Sequence, residues 1–351
     1  MAAREAIAAA LCRLPDGFYE LLYAGRRTSR DGRRLDARAQ FIAALIAKTG
    51  TPLAEETVAG ARAQIEAVAA LLGGPAEELA SVTDDDIDVG GRNLAIRHYR
   101  PKRDAGDGGP CPALLYFHGG GFIRGSLDSH DHLCRSLAAR SGADVISVAY
   151  RLAPEHRFPA AVDDALAAWT WLVGHAGERG LDPARLAVGG DSSGGNLAAV
   201  LCQDIRAAGL AAPVFQLLIY PVTDARFEAR SHTTFGDGFV LTAERMRWYR
   251  DHYLARPEEM DDPRASPLRA TDFGGLPPAL VITAGFDPLI DEGEAYAEAL
   301  AAAGVEIAVR RFDGMVHGFM SMPGAFRDAG AAIDDAAASL RSALVPDRPG
   351  G

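Results

Sequence analysis

The tightest constraint on this chain is a corner. Leu186 to Leu197 (LAVGGDSSGGNL) runs from an apolar stretch into a helix-patterned one, and within it Gly190, Ser192 and Gly194 make the pattern G-x-S-x-G. A serine projecting from a sharp strand-to-helix turn takes strained backbone angles, and a side chain two residues to either side would collide with the turn. Glycine at both offsets removes that Cβ. The flanks agree: Pro183 to Val188 reads as a short strand, and Leu197 to Ala208 (LAAVLCQDIRAA) places Ala, Leu and Ile at helical spacing. Taking Ser193 as the projecting residue would put Asp191, with its Cβ, at a place that needs glycine. Ser192 is therefore the candidate nucleophile.

Around this corner the chain alternates strand and helix. Asp86 to Tyr99 reads as two β runs joined by Gly90-Gly91, hairpin chemistry. After a polar stretch from Asp104 to Pro112 come a short buried strand, Ala113 to Phe117, and the run His118-Gly119-Gly120-Gly121-Phe122. Three glycines after a strand let backbone N–H groups converge on one spot, which suits the oxyanion of a tetrahedral intermediate. Asp144 to Tyr150, Val214 to Tyr220, Ala279 to Thr283 and Val305 to Phe312 read as further strands. Helices are expected at Asp131 to Ala139, Ala160 to Val173, Glu292 to Ala303 and Ala325 to Leu344, with a frayed tail at 346–351. His130-Asp131-His132 suggests a metal site, but the three open a helix where a polar first turn is ordinary, so no metal is expected.

Before the sheet, Leu35 to Leu72 reads as helices whose apolar stripes (Phe41, Leu45 and Ile46; Val58, Ile65, Val68 and Leu72) need something to cover. Residues 1–80 are accordingly expected to form a helical cap segment. The start of the chain carries an Ala-rich run, but Glu5 and Arg13 bracket it and Ile7, Leu11 and Leu14 share one helical face, which favours an amphipathic helix over a signal peptide. The 36 Lys and Arg against 47 Asp and Glu leave a net charge of -11, a balance that repels nucleic acid and anionic membrane. No stretch reaches the roughly 18 apolar residues needed to cross a bilayer, so no membrane insertion is expected. Cys12, Cys111, Cys134 and Cys202 lack C-x-x-C spacing, which points to a reducing, cytoplasmic setting.

HGGGF at 118–122, YRLAPEH at 150–156 and GDSSGG at 190–195, in that order, resemble the hormone-sensitive-lipase-like (bacterial family IV) carboxylesterases of the α/β-hydrolase fold. The likeness runs from about Asp86 to about Leu340. Two positions depart from it: Ser193 stands where alanine is commoner, and Arg157 where a small residue or proline is commoner. The resemblance implies an α/β fold, a mostly parallel central sheet with helices on both faces. The catalytic domain would span 81–345, and 223–267 would join the N-terminal helices in the cap. It implies a serine esterase needing no cofactor, with Gly119, Gly120, Gly121 and Ser193 as oxyanion-hole residues and His118 shaping the loop. A small-molecule ester is the expected partner, and a homodimer is possible on this pattern.

The remaining catalytic candidates sit at strand ends. Asp287 follows a strand, in AGFDPLIDEG, where the acid of a triad is delivered. Asp291 competes, but it opens the next helix, where capping is the ordinary role of an acid. His317 follows the last strand, and the order Ser192, Asp287, His317 is the one α/β-hydrolases use. Phe122, Leu289, Val316 and Phe319 flank these positions as candidate pocket walls. Two other readings stand beside the esterase: a receptor-like small-molecule binder with an incomplete triad, and an amidase or peptidase on the same scaffold.

Overall fold

A computed structural model describes residues 11–12, 14–103 and 109–344 of the chain. Most of the expected N-terminal amphipathic helix and the 346–351 tail lie outside the described residues. The organising element is an eight-stranded sheet in the order β10-β9-β8-β7-β5-β6-β4-β3. Its strands are β3 (Ser81–Asp88), β4 (Asn93–Arg100), β5 (Cys111–Phe117), β6 (Asp144–Val148), β7 (Leu181–Asp191), β8 (Gln216–Ile219), β9 (Ala279–Phe286) and β10 (Ile307–Val316). From β10 across to β6 every pairing is parallel, and only the β4–β6 and β3–β4 pairs are antiparallel.

A parallel strand is covered on both faces, so its side chains feed two cores. In β5, Ala113, Leu115 and Phe117 join one core while Leu114 and Tyr116 join the other. The first is covered by α5 (Ala160–His175), α6 (Ser193–Ala207) and α9 (Ile290–Ala302), through Trp169, Leu197 and Tyr296 among others. The second is covered by α4 (Asp131–Ser141) and α10 (Arg327–Leu344), through Leu137, Ile333 and Leu340. This is the mostly parallel α/β sheet expected from the motifs. The chain passes from β5 to β6 on one side and then to β7 on the other, so the carboxyl ends of β5 and β7 lie side by side at the switch point, where such sheets bind ligands.

The first 80 residues are not purely helical. The helix α1 (Asp16–Leu22) precedes a short antiparallel ribbon, β1 (Ser29–Arg30) and β2 (Arg33–Arg34), and only then come α2 (Ala37–Thr49) and α3 (Val58–Leu72). The ribbon packs on the sheet body: Arg33 donates to the Gly285 carbonyl at 2.9 Å and the Asp36 N–H to the Gly314 carbonyl at 2.9 Å. Strands β5, β7 and β9 run a few residues past their expected bounds, and β3 and β10 extend in ways that bear on the edge and the site. β3 begins at Ser81 and carries three exposed acids at 84–86, so it shows no apolar alternation; it is an edge strand, where charge is tolerated and discourages pairing with another chain. β10 continues past a register shift between Phe312 and Val316 and delivers the next residue directly to the site.

Candidate active site

At the end of β7 the backbone turns through Ser192 with φ 55° and ψ -115°, a conformation that side chains rarely adopt and that typically costs about 1–3 kcal/mol. Three backbone hydrogen bonds hold it there: the Ser192 N–H donates to the Ile219 carbonyl at 2.8 Å, and the Ser192 carbonyl accepts the Val222 and Asn196 N–H groups, each at 3.1 Å. Neither Gly190 nor Gly194 has a positive φ. They are required for space, since a Cβ on Gly190 would strike the Gly194 backbone and one on Gly194 would strike the Phe117 carbonyl. The corner is thus wedged against the end of β5.

Two distant segments meet the serine. His317, one residue past β10, places Nε2 3.0 Å from Ser192 Oγ and Nδ1 2.7 Å from Asp287 Oδ2. Asp287 follows β9, is fully buried, and accepts the Leu289 N–H at its other oxygen, 2.9 Å away. The competing acid, Asp291, sits in the first turn of α9 and accepts the Ser231 N–H at 2.9 Å. It anchors the short helix α7 (Arg230–Thr234) and does not reach the imidazole.

The glycine run after β5 lies against this chain of groups. Gly120, Gly121 and Phe122 all have positive φ (131°, 65° and 64°), so the loop doubles back beside the serine. The Gly119 N–H, expected among the oxyanion donors, instead donates to Asp191 Oδ1 at 2.9 Å. That hydrogen is already spent, which leaves Gly120, Gly121 and Ser193 as the candidates. His118 is paired with the loop itself: its Nδ1 lies 2.9 Å from the Gly119 carbonyl, its ring stacks on Tyr150 at 4.4 Å, and the Tyr150 hydroxyl donates to its carbonyl at 2.7 Å.

Comparison with known proteins agrees with this fold. A family model described as the α/β-hydrolase fold matches residues 114–321. The chain belongs to the α/β-hydrolase family. Within it, the motif order is that of the hormone-sensitive-lipase-like branch. The chain is 42% identical to carboxylic ester hydrolase LipN of Mycobacterium tuberculosis over 318 residues, covering 88% of this chain and 83% of that protein. It is 45% identical to ethyl acetate hydrolase of Pseudomonas putida over 275 residues, covering 77% and 85% respectively. Among solved structures it is similar to a thermostable carboxylesterase cloned from a metagenomic library, with a TM-score of 0.80 and 46% identity over 84% of this chain and all of that one.

In this α/β-hydrolase, Ser192 and His317 open onto a cavity of about 530 Å³. Its walls come from both parts expected to form a cap: Leu53, Ile65 and Val68 from the N-terminal stretch, and Phe239, Leu241 and Tyr249 from 237–253, which includes α8 (Ala243–Tyr253). Phe122 and Leu289 line it, and Phe122 lies flat on Tyr253 with ring centroids 3.8 Å apart. Val316 and Phe319 do not. Both are fully buried on the α4/α10 side of the sheet, Phe319 against Phe312 and Tyr220, because a residue next to a catalytic position in sequence can point the other way. Tyr249 and Phe239 are not legible as walls from the sequence, because Tyr249 meets Gly121 and Phe239 meets Phe286 only through tertiary packing; the aromatic content of the long excursion between β8 and β9 is the available signal.

The roof is tied to the loop by several side chains of α3: Gln64 accepts from Arg124 at 3.4 Å, Glu66 accepts the Ser126 hydroxyl at 2.6 Å, and Arg62 makes the most bonds. Arg62 on α3 donates to the Ile123 carbonyl at 2.8 Å and the Ala153 carbonyl at 3.1 Å, and pairs with Glu155 at 2.7 Å. In the His130-Asp131-His132 run the neighbours diverge: His130 turns inward to Asp191, while Asp131 pairs outward with Arg135 at 2.6 Å. Among the described residues no group of three or more His, Cys, Asp or Glu side chains is placed to hold a metal ion, and no helix is long and apolar enough to cross a membrane.

Proposed function

We propose that the chain is a serine carboxylesterase acting on short- to medium-chain acyl esters through an acyl-enzyme. The enzyme is a carboxylic ester hydrolase, as its relatives' names indicate. The observation that carries the finer reading is the unbroken line from Ser192 Oγ through the imidazole of His317 to the buried Asp287 carboxylate, at 3.0 and 2.7 Å, on the wall of a largely apolar cavity. His317 Nε2 takes the Ser192 proton as Oγ attacks the ester carbonyl, and Asp287 holds the Nδ1–H and offsets the imidazolium charge. The backbone N–H groups of Gly120, Gly121 and Ser193 receive the oxyanion, and the N-terminus of α6 adds a favourable dipole. The alcohol leaves with the proton from Nε2, and a water activated by the same nitrogen releases the acid.

A receptor-like role fits less well, because it would not need all three groups within hydrogen-bond distance. Reaction with an organophosphonate separates the two: stoichiometric labelling that disappears in Ser192→Ala supports the enzyme, and a wild-type protein that resists labelling overturns it. A panel of p-nitrophenyl esters from acetyl to palmitoyl is expected to peak at the short end, and a matched anilide panel tests amide cleavage.

A further inference from the structure

One cation on the cavity wall has no anion beside it. Arg124 follows Phe122 and Ile123 at the end of the glycine loop and lines the same cavity as Ser192 and His317. Its backbone N–H donates to the Gly120 carbonyl at 3.2 Å, and a Cβ placed on Gly120 would sit 3.1 Å from its Cγ, so the side chain starts beside the oxyanion donors. From there the guanidinium lies over the ring of Tyr249, with Cζ 5.2 Å from the ring centroid, and reaches Gln64 on α3.

A guanidinium carries five N–H donors and no acceptor. In Arg124 they are almost unused. Among the described residues the side chain makes no ion pair, its Nε is buried without an acceptor, and its one hydrogen bond runs from Nη1 to Gln64 Oε1 at 3.4 Å, longer than the usual range. Arg245 and Arg250, which also line the cavity, are paired, the first with Glu56 at 2.9 Å and the second with Asp251 at 3.3 Å. The acids on the wall do not answer Arg124 either. Asp191 is 4% exposed and already accepts the Tyr116 hydroxyl at 2.7 Å and the Gly119 N–H at 2.9 Å. Asp237 and Glu244 are exposed on the roof and act through water, where charge is screened beyond about 8 Å at physiological salt.

We propose that Arg124 is a specificity-determining residue that receives a second, anionic group of the substrate, so that the enzyme acts on esters that also carry a carboxylate, such as the half-esters of dicarboxylic acids. The planar fork of N–H groups suits a carboxylate, and in a half-buried wall the pairing is stronger than it would be in water. An uncharged tail of the same size leaves the donors unpaired, which turns the contact into discrimination. The proposal rests on the esterase reading above. The scissile ester still reacts at Ser192 and its alcohol still leaves with the proton from His317, while the second carboxylate is bound and not changed.

Steady-state assays on the monomethyl half-esters from succinate to suberate test this, each compared with the analogue in which an isopropyl group replaces the carboxylate and with the dimethyl diester. For the half-ester with the highest kcat/KM, Arg124→Met, which keeps an apolar stem over Tyr249, should lower kcat/KM on the order of 30-fold relative to the isopropyl analogue. Should that variant not fold, Arg124→Gln gives the same comparison. Equal losses on the half-ester and the isopropyl analogue would overturn the proposal, because Arg124 would then serve the packing or the chemistry of every ester. Equal losses on the half-ester and the diester would overturn it too, because the bound group would then be a neutral carbonyl. Failure of the esterase reading shows itself separately, as hydrolysis that is absent in the wild type or survives in Ser192→Ala. In that case calorimetric binding of the half-ester, expected to weaken by the same factor in Arg124→Met, still decides the subsite.

Discussion

The floor of the cavity is carried by the ends of parallel strands and their following turns, whereas its roof is made of helices and turns from two well-separated stretches of chain. Floor residues are buried and held by several bonds each: Asp287 is fully enclosed, and Ser192 is 8% exposed with its backbone pinned on both sides. Roof positions such as Asp237, Gly238 and Glu244 are exposed, and much of what lines the cavity from above is aliphatic or aromatic. Apolar packing tolerates exchange of one side chain for another of similar size, but a hydrogen-bonded chain tolerates displacements of only a fraction of an ångström. The reaction is therefore expected to be sensitive to changes in the floor, and selectivity to changes in the roof.

That contrast can be broken most directly at the acid. Asp287→Asn is expected to lower kcat by roughly 10³–10⁴-fold by fixing the wrong tautomer on His317, while Asp291→Asn changes it by less than about threefold. Equal losses in steady-state assays would erase the distinction between a strand-end acid and a helix-turn acid. Next in size is Gly194→Ala. Its new methyl group has no room against the Phe117 carbonyl, so a loss of more than about 3 kcal/mol is expected in urea unfolding, or failure to fold at all.

The loop beneath the cavity should also show itself in acid. With a pKa of about 4 in the fold against 6.5 when unperturbed, His118 is neutral in the folded protein while the unfolded chain takes up a proton. The unfolded state binds more protons between those two values, so stability falls as pH drops through that window, by on the order of 3 kcal/mol in total. His118→Asn should flatten that slope in urea midpoints taken at successive pH values, and an unchanged slope would remove His118 from the account. The smallest expected effect belongs to the roof. Tyr249→Ala opens space above Gly121 and should shift kcat/KM toward longer acyl chains by about tenfold, with little change on the acetyl ester. A comparable loss on every chain length would mean that the roof takes part in the chemistry after all.

How much of this was readable from the chain alone follows from what each feature depends on. The corner at Ser192 is local, since G-x-S-x-G states its own steric requirement, and strands β5 to β9 announce themselves as apolar runs. The alternating pattern also suffices to expect Ser192, Asp287 and His317 at strand ends. Features that depend on contacts between distant segments were not legible. The acid-laden β3 lacks alternation because an edge needs none, and the β1–β2 ribbon is too short to leave a pattern. Nothing in HGGG reveals that the hydrogen of Gly119 is taken by a carboxylate seventy-two positions later. Val316 and Phe319 show the same limit from the other side: adjacency along the chain says where a backbone goes and not which way a side chain faces.

The Arg62 guanidinium grips Ile123, at the end of the glycine loop, and the 153–155 turn at once, although it belongs to the helix overhead. A bulky guest that levers α3 upward must therefore either snap those bonds or drag the loop along. In the second case, substrates too large for the chamber would be penalised in the rate of acylation as well as in how tightly they settle, so size discrimination would be felt at the reacting carbonyl itself.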